Sequence, residues 1–388
     1  MLNFKHEGEL YHDIMASKSE QLTSKELLEQ VLKCLNTLIT FKENQLQKSE
    51  HYKQEIENTV NLIFEFLVKI LTEEGLWNES EENVKATAQK ILEFSLSTHL
   101  QFDSDWAKPS FHNEIHILAV IYAFLKVFFA LLKSEDIFQI RNTLNTWNQK
   151  SETSGSSTSP ITLGKFALAM IIALATHDLG NILQEIQEQE GENPKAIFHE
   201  VYNAEGAEER SQAIASVLIT KFNQAVDEAK IKQIIGLVQH LIEQTKFQPN
   251  PNPTEKETWW LLVQIIDQIG GNVVLLSTNP NYYVSALAGL IIEILTVRAA
   301  DKINLTNFLN FVAFRLNVFT TQGIITQKFA EKVLALLSGN GFSSLNEPKL
   351  NQATKENFDY IVKILKGVFP DRRVITDETN QVFLTISQ

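Results

Sequence analysis

LGKFALAMIIALATHDLG, residues 163–180, is an apolar run that ends in a histidine, an aspartate and a glycine. From Phe166 to Ala175 every side chain is apolar, so no face of the segment suits water. That pattern predicts a helix buried inside a helical core. The run is about half the length that a membrane span needs. Gly180 is a natural helix stop. His177 and Asp178 therefore stand at the C-terminal end of a core helix, where an imidazole and a carboxylate are costly to bury unless something pairs with them.

The flanking chain reads the same way. EIHILAVIYAFLKVFFALLKS (114–134) is apolar on nearly every face and predicts a second central helix. TSKELLEQVLKCLNTLITF (23–41), IENTVNLIFEFLVKILTEEGLW (56–77) and NVKATAQKILEFSLSTHL (83–100) carry apolar residues at three- and four-residue spacing. Thr23 and Glu26 have capping-box spacing, and the second of these helices should stop near Gly75. After the opening run, AEERSQAIASVLITKFNQAV (207–226), DEAKIKQIIGLVQHLIEQT (227–245), EKETWWLLVQIIDQIGG (255–271) and YYVSALAGLIIEILTVRAADKIN (282–304) are all helical in pattern.

The expected fold class is all-α. An N-terminal helical layer covers residues 1–100, and a central helical domain covers 101–340. Within the latter, the polar segment 151–160 (SETSGSSTSP) reads as an exposed loop. Residues 341–388 hold a helix (353–369) and then RRVITDETNQVFLTIS (372–387), whose β-branched alternation around a turn signal suggests a small β-hairpin.

Composition narrows the function classes. The formal net charge of −13 disfavours a nucleic-acid binder, which needs clustered positive charge. The single cysteine, Cys34, excludes an intramolecular disulfide and thiolate-rich metal sites; its helical context reads as that of a buried small apolar residue. MLNFKHEGELYHDIM lacks the basic start and apolar block of a signal peptide, so the expectation is a cytoplasmic protein with no membrane association.

Nine histidines offer ligands. His6, His12, His51 and His99 lie in mixed, polar stretches and read as surface residues, and His199 reads as a loop or helix-end residue. In FHNEIHILAV, His112 and His116 are four apart, which on a helix places both on one face, one turn apart. That pair serves a metal, a substrate or plain solvent equally well. His177 and Asp178 are suitable metal ligands, and a cation would answer their demand for a partner. A further carboxylate would close such a site. Asp267 and Asp301 each follow an apolar stretch, though Arg298 is also placed to pair with Asp301. His240 lies on an apolar helix, either as a pocket histidine or as a satisfied core residue. Glu205, Glu208, Glu209 and Arg210 read mostly as a solvated face, with Glu209 as the candidate to support the site.

The ordered set resembles the HD superfamily of metal-dependent phosphohydrolases. FHNEIH is similar to the tyrosine-His-Asn-x-x-His signature of cyclic nucleotide phosphodiesterases in that superfamily, and HDLGN resembles the family's His-Asp opening. The resemblance covers about residues 105–305 and implies an HD-domain-like helical bundle that hydrolyses a phosphate ester. It implies His116, His177 and Asp178 as metal ligands, with Asp267 as the fourth and Asp301 as the alternative. It implies His112 as the acid that protonates the leaving oxygen, alongside Asp178 and a pocket role for His240. The resemblance also implies a divalent metal ion (Mn, Mg, Fe, Zn or Ni) as cofactor and a small phosphorylated compound or a nucleotide as substrate. Where the phosphodiesterases carry a further histidine, this chain has Asn181 and Gln184, which implies a single ion. Two rival readings follow: an HD-fold sensor or binding module without activity, and an effector-type phosphodiesterase acting on a protein-linked phosphodiester. In the second, the N-terminal helices would contact a protein partner.

Overall fold

The structure is a computed structural model. It describes residues 22–44, 46, 49–102, 113–153, 160–180, 206–223, 228–245, 262–263, 266–267, 302–304, 320, 327–328, 330–331, 372–376 and 381–386. Eight helices cover most of these: α1 (Ser24–Glu43), α2 (Glu50–Glu73), α3 (Glu79–Phe102), α4 (Glu114–Leu132), α5 (Ile137–Thr153), α6 (Leu163–Thr176), α7 (Ala207–Phe222) and α8 (Glu228–Glu243). Three short strands follow: β1 (Lys302–Asn304), β2 (Arg372–Thr376) and β3 (Gln381–Ile386). β3 lies between the other two and is antiparallel to both, with Val374 opposite Leu384 and Ile303 opposite Val382. The described residues are thus predominantly helical, as an all-α reading requires. The expected helices at 255–271 and 353–369 lie largely or wholly outside them; so does 282–304, except for Lys302–Asn304, which forms strand β1 and not the end of a helix because it pairs with β3.

Local chemistry explains the helix ends. Thr23 and Glu26 make the reciprocal capping box: the Glu26 amide donates to the Thr23 hydroxyl, and the Thr23 amide donates to the Glu26 carboxylate. α2 runs to Glu73, and Gly75 follows at φ +66, a left-handed conformation that glycine adopts without strain. α5 extends through Thr153, so the first three residues of the expected 151–160 loop belong to a helix; residues 154–159 lie outside the described set.

α4 and α6 form the centre. All described side chains of α6 except Lys165 are buried, and so are all those of α4 except Lys126 and Phe129. α4 is long and apolar enough to cross a membrane, but 83% of that stretch is buried inside the protein. α3 runs parallel to α6 and is fastened to it near both ends. The buried Glu81 carboxylate accepts from the Thr162 hydroxyl (2.5 Å) and from the Asn78 amide (3.2 Å). At the far end the Ser95 hydroxyl donates to the Ala175 carbonyl. Thr162 is also the N-cap of α6, so one side chain starts that helix and fixes its neighbour.

His99 departs from the expectation of a surface residue: it is 1% exposed. Its Nδ1 lies 2.8 Å from the Ser95 carbonyl, and the neighbouring Thr98 hydroxyl donates to the Phe94 carbonyl. Backbone partners within its own helix make this polar stretch compatible with burial. His51 is exposed, as expected. Cys34 is half-buried; burial, helped by Glu55, pushes its thiol up to about 12.

α1 and α2 pack on α4 as an N-terminal layer. Their link to it is a buried polar cluster. Lys42 Nζ lies 2.9 Å and the Tyr52 hydroxyl 2.6 Å from Glu114 Oε1, with Lys42 3% and Glu114 0% exposed. α7 and α8 complete the bundle as an antiparallel pair, with Gln212 bonded to Glu243 and Gln239 to Ser216.

Candidate metal centre

Asn113 caps α4: its side-chain oxygen accepts from the His116 amide at 2.9 Å. The cap fixes the first turn, and His116 projects from that turn at 7% exposure. Antiparallel to α4, α6 ends at His177, which is its C-cap in right-handed geometry. The start of one core helix and the end of another therefore bring His116 to the His177-Asp178 corner.

The ligand atoms of His116, His177 and Asp178 all lie within 4.8 Å of one another, and all three residues are buried. Asp178 Oδ2 is 3.0 Å from His177 Nε2 and 3.5 Å from His116 Nε2. Asp267 approaches the same nitrogens: its Oδ1 is 2.9 Å from His177 Nε2 and 4.0 Å from His116 Nε2. Two ligands each about 2.1 Å from one ion stand about 3.0 Å apart at a right angle and about 3.4 Å apart at a tetrahedral angle. The separations around Asp178, 3.0 and 3.5 Å, lie at the two ends of that range, and those of Asp267, 2.9 and 4.0 Å, lie on either side of it, so His116, His177 and Asp178 suit a divalent cation with Asp267 beside them.

The tautomer of His177 sharpens the point. Its Nδ1 lies 2.8 Å from the Leu174 carbonyl, an atom that only accepts, so Nδ1 carries a proton. Nε2 then faces two carboxylates. In the neutral ring, a lone pair would point at their oxygens. The arrangement requires either a second proton on His177 or a cation shared with the aspartates. In the metal-free protein, burial disfavours the charged ring, yet the charges of Asp178 and then Asp267 outweigh it and hold the His177 pKa well above 6.5. A backbone carbonyl on the remote ring nitrogen is also how metal-binding histidines are commonly oriented.

The corner is braced from α7. The Ser211 hydroxyl donates to the His177 carbonyl (2.5 Å) and accepts from the Gly180 amide (2.9 Å). Arg210 Nε donates to the Gly180 carbonyl at 3.0 Å, so Arg210 is engaged with the corner and does not belong to a solvated face. A Cβ on Gly180 would meet the Ala207 carbonyl oxygen at 2.0 Å, so only glycine permits this contact. The Glu209 carboxylate folds back over Gly206, the N-cap of α7, in the manner of the acidic member of a capping box.

The other sequence candidates fall elsewhere. The His240 ring packs on Trp147, with centroids 4.9 Å apart at 45°. His112, Asp301, Asn181, Gln184, His199, Glu205, His6 and His12 lie outside the described residues. Ser211 and the Leu174 carbonyl were not singled out from sequence. A backbone acceptor leaves no residue-type signal, and a serine inside a helical pattern looks like any other small polar residue.

Comparison with protein-family models, with curated proteins and with solved structures returns no match.

Proposed function

We propose that this chain is a metal-dependent phosphohydrolase built on an HD-like bundle, acting on a small phosphate ester or a cyclic nucleotide. The observation that carries the reading is the buried convergence of His116, His177 and Asp178, with Asp267 Oδ1 reaching His177 Nε2 from a half-buried position and the His177 tautomer set by Leu174. His116, His177, Asp178 and Asp267 would hold the ion, with Asp301 as the alternative to Asp267. When bound, such an ion supplies positive charge for the phosphoryl oxygens and an acidified water.

The rest falls to the chain itself. Asp178 and Asp267 concentrate negative charge at the end of a helix whose neighbours exclude water, so they select a cation over bulk solvent. His112, four residues before His116, gives a proton to the leaving oxygen, a task suited to a side chain that titrates near neutrality. Local positive charge from the bound cation reconciles an anionic substrate with a chain of net charge −13.

The test is turnover of bis(4-nitrophenyl) phosphate, a phosphomonoester and cyclic nucleotides by the full chain supplied with Mn(II). The expected result is hydrolysis of at least one substrate, abolished in His112→Ala while metal binding persists. Metal binding by the wild type with none of these substrates turned over would contradict the hydrolase reading and favour a sensor.

A further inference from the structure

We infer that Ser211 is a positioning residue for the metal centre, assisted by Arg210. The inference rests on the proposed metal site. It assigns to α7 the task of holding the turn that presents His177 and Asp178.

His177 and Asp178 form a turn between α6, which ends at Thr176, and the helical residues Leu179 and Gly180, so the helix stop expected at Gly180 falls at Thr176. A single hydroxyl ties this turn to α7. Ser211 is fully buried, and its oxygen contacts the backbone on both sides of Asp178: the carbonyl of His177 and the amide of Gly180. The Arg210 bond to the Gly180 carbonyl adds a second strut from the adjacent position. The missing side chain at Gly180 is what allows the first turn of α7 to come this near. Two backbone contacts three residues apart, one before and one after Asp178 and Leu179, fix the path of the turn that carries these side chains. His177 Nε2 and the Asp178 carboxylate are therefore aimed by α7, while the Leu174 carbonyl fixes the ring's rotation.

Removing the hydroxyl leaves a buried amide and a buried carbonyl without their partner, and the turn relaxes to satisfy them elsewhere. Loss of such supporting contacts typically weakens metal binding by about 10- to 100-fold.

The experiment titrates chelator-stripped full-length protein with Co(II), followed by calorimetry and by visible absorption of the bound ion. Ser211→Ala is expected to bind Co(II) about 10- to 100-fold more weakly, with an altered absorption band and a helical circular dichroism signal like that of the wild type. Ser211→Thr, which keeps the hydroxyl, should recover the wild-type band. Arg210→Ala, at a half-buried position, gives a second readout should Ser211→Ala fail to fold, and a several-fold loss of affinity is expected. Wild-type affinity and an unchanged band in Ser211→Ala would overturn the inference while leaving the metal site standing. Absence of Co(II) binding in the wild type would overturn both.

Discussion

Removing the Lys42 ammonium tests how the N-terminal layer supports the first turn of α4, from which His116 projects. Lys42 and Glu114 are 3% and 0% exposed and 2.9 Å apart. At an effective dielectric of about 20, that separation corresponds to about 6 kcal/mol of attraction, offset by a desolvation cost of several kcal/mol for each ion. The net worth of the pair is therefore small, but the cost of breaking it is not. Lys42→Met leaves a buried carboxylate with the Tyr52 hydroxyl as its remaining partner among the described residues, and Glu114 Oε2 has none there. Stranding a charge in this way costs about 3–5 kcal/mol. Lys42→Met combined with Glu114→Gln removes the stranded charge and keeps an acceptor for Tyr52. The double variant should recover most of the loss and stand within about 1–2 kcal/mol of wild type. Urea denaturation followed by circular dichroism measures both. A single-variant cost under about 1 kcal/mol, the range of an exposed pair, would refute the reasoning. So would a double variant worse than the single.

Two further expectations follow from ionisation. In metal-free protein the folded-state pKa of His177 is raised above its unfolded value. The stability it contributes is complete below about pH 6.5 and is lost as pH rises through the folded value. Wild type compared with His177→Gln in excess chelator should therefore show a stability difference that shrinks with rising pH; a difference that grows would contradict the two-carboxylate environment. Added divalent ion should displace that proton, so its affinity should rise with pH. Cys34, with its thiol pushed up to about 12, should react slowly with a disulfide reagent at pH 8 in native protein and rapidly in urea. Equal rates in the two conditions would contradict its burial beside Glu55.

Much of the helical framework was legible because single segments carry their own signals. The apolar faces of α4 and α6, the Thr23-Glu26 cap and the stop at Gly75 are local patterns, and the structure realises each of them. The approach of His116 to His177 and Asp178 was legible only as a set, because no segment alone separates a ligand from a satisfied polar residue. What the sequence hid depends on tertiary contact. His99 looked exposed because its partners are backbone atoms of its own helix. Arg210 looked solvated because its partner is a carbonyl thirty residues away in sequence. The Lys42-Glu114 pair joins residues 72 apart, and each of them reads alone as an ordinary surface charge.

The central claim is that one divalent ion sits among His116, His177, Asp178 and Asp267. The direct measurement is metal stoichiometry by elemental analysis of the purified chain and of its His177→Ala and Asp178→Ala variants, after equilibration with Mn(II), Zn(II) or Fe(II). The account predicts one ion per chain in the wild type and none retained by either variant. Equal metal content in all three proteins, or none in the wild type with any of these ions, would contradict it.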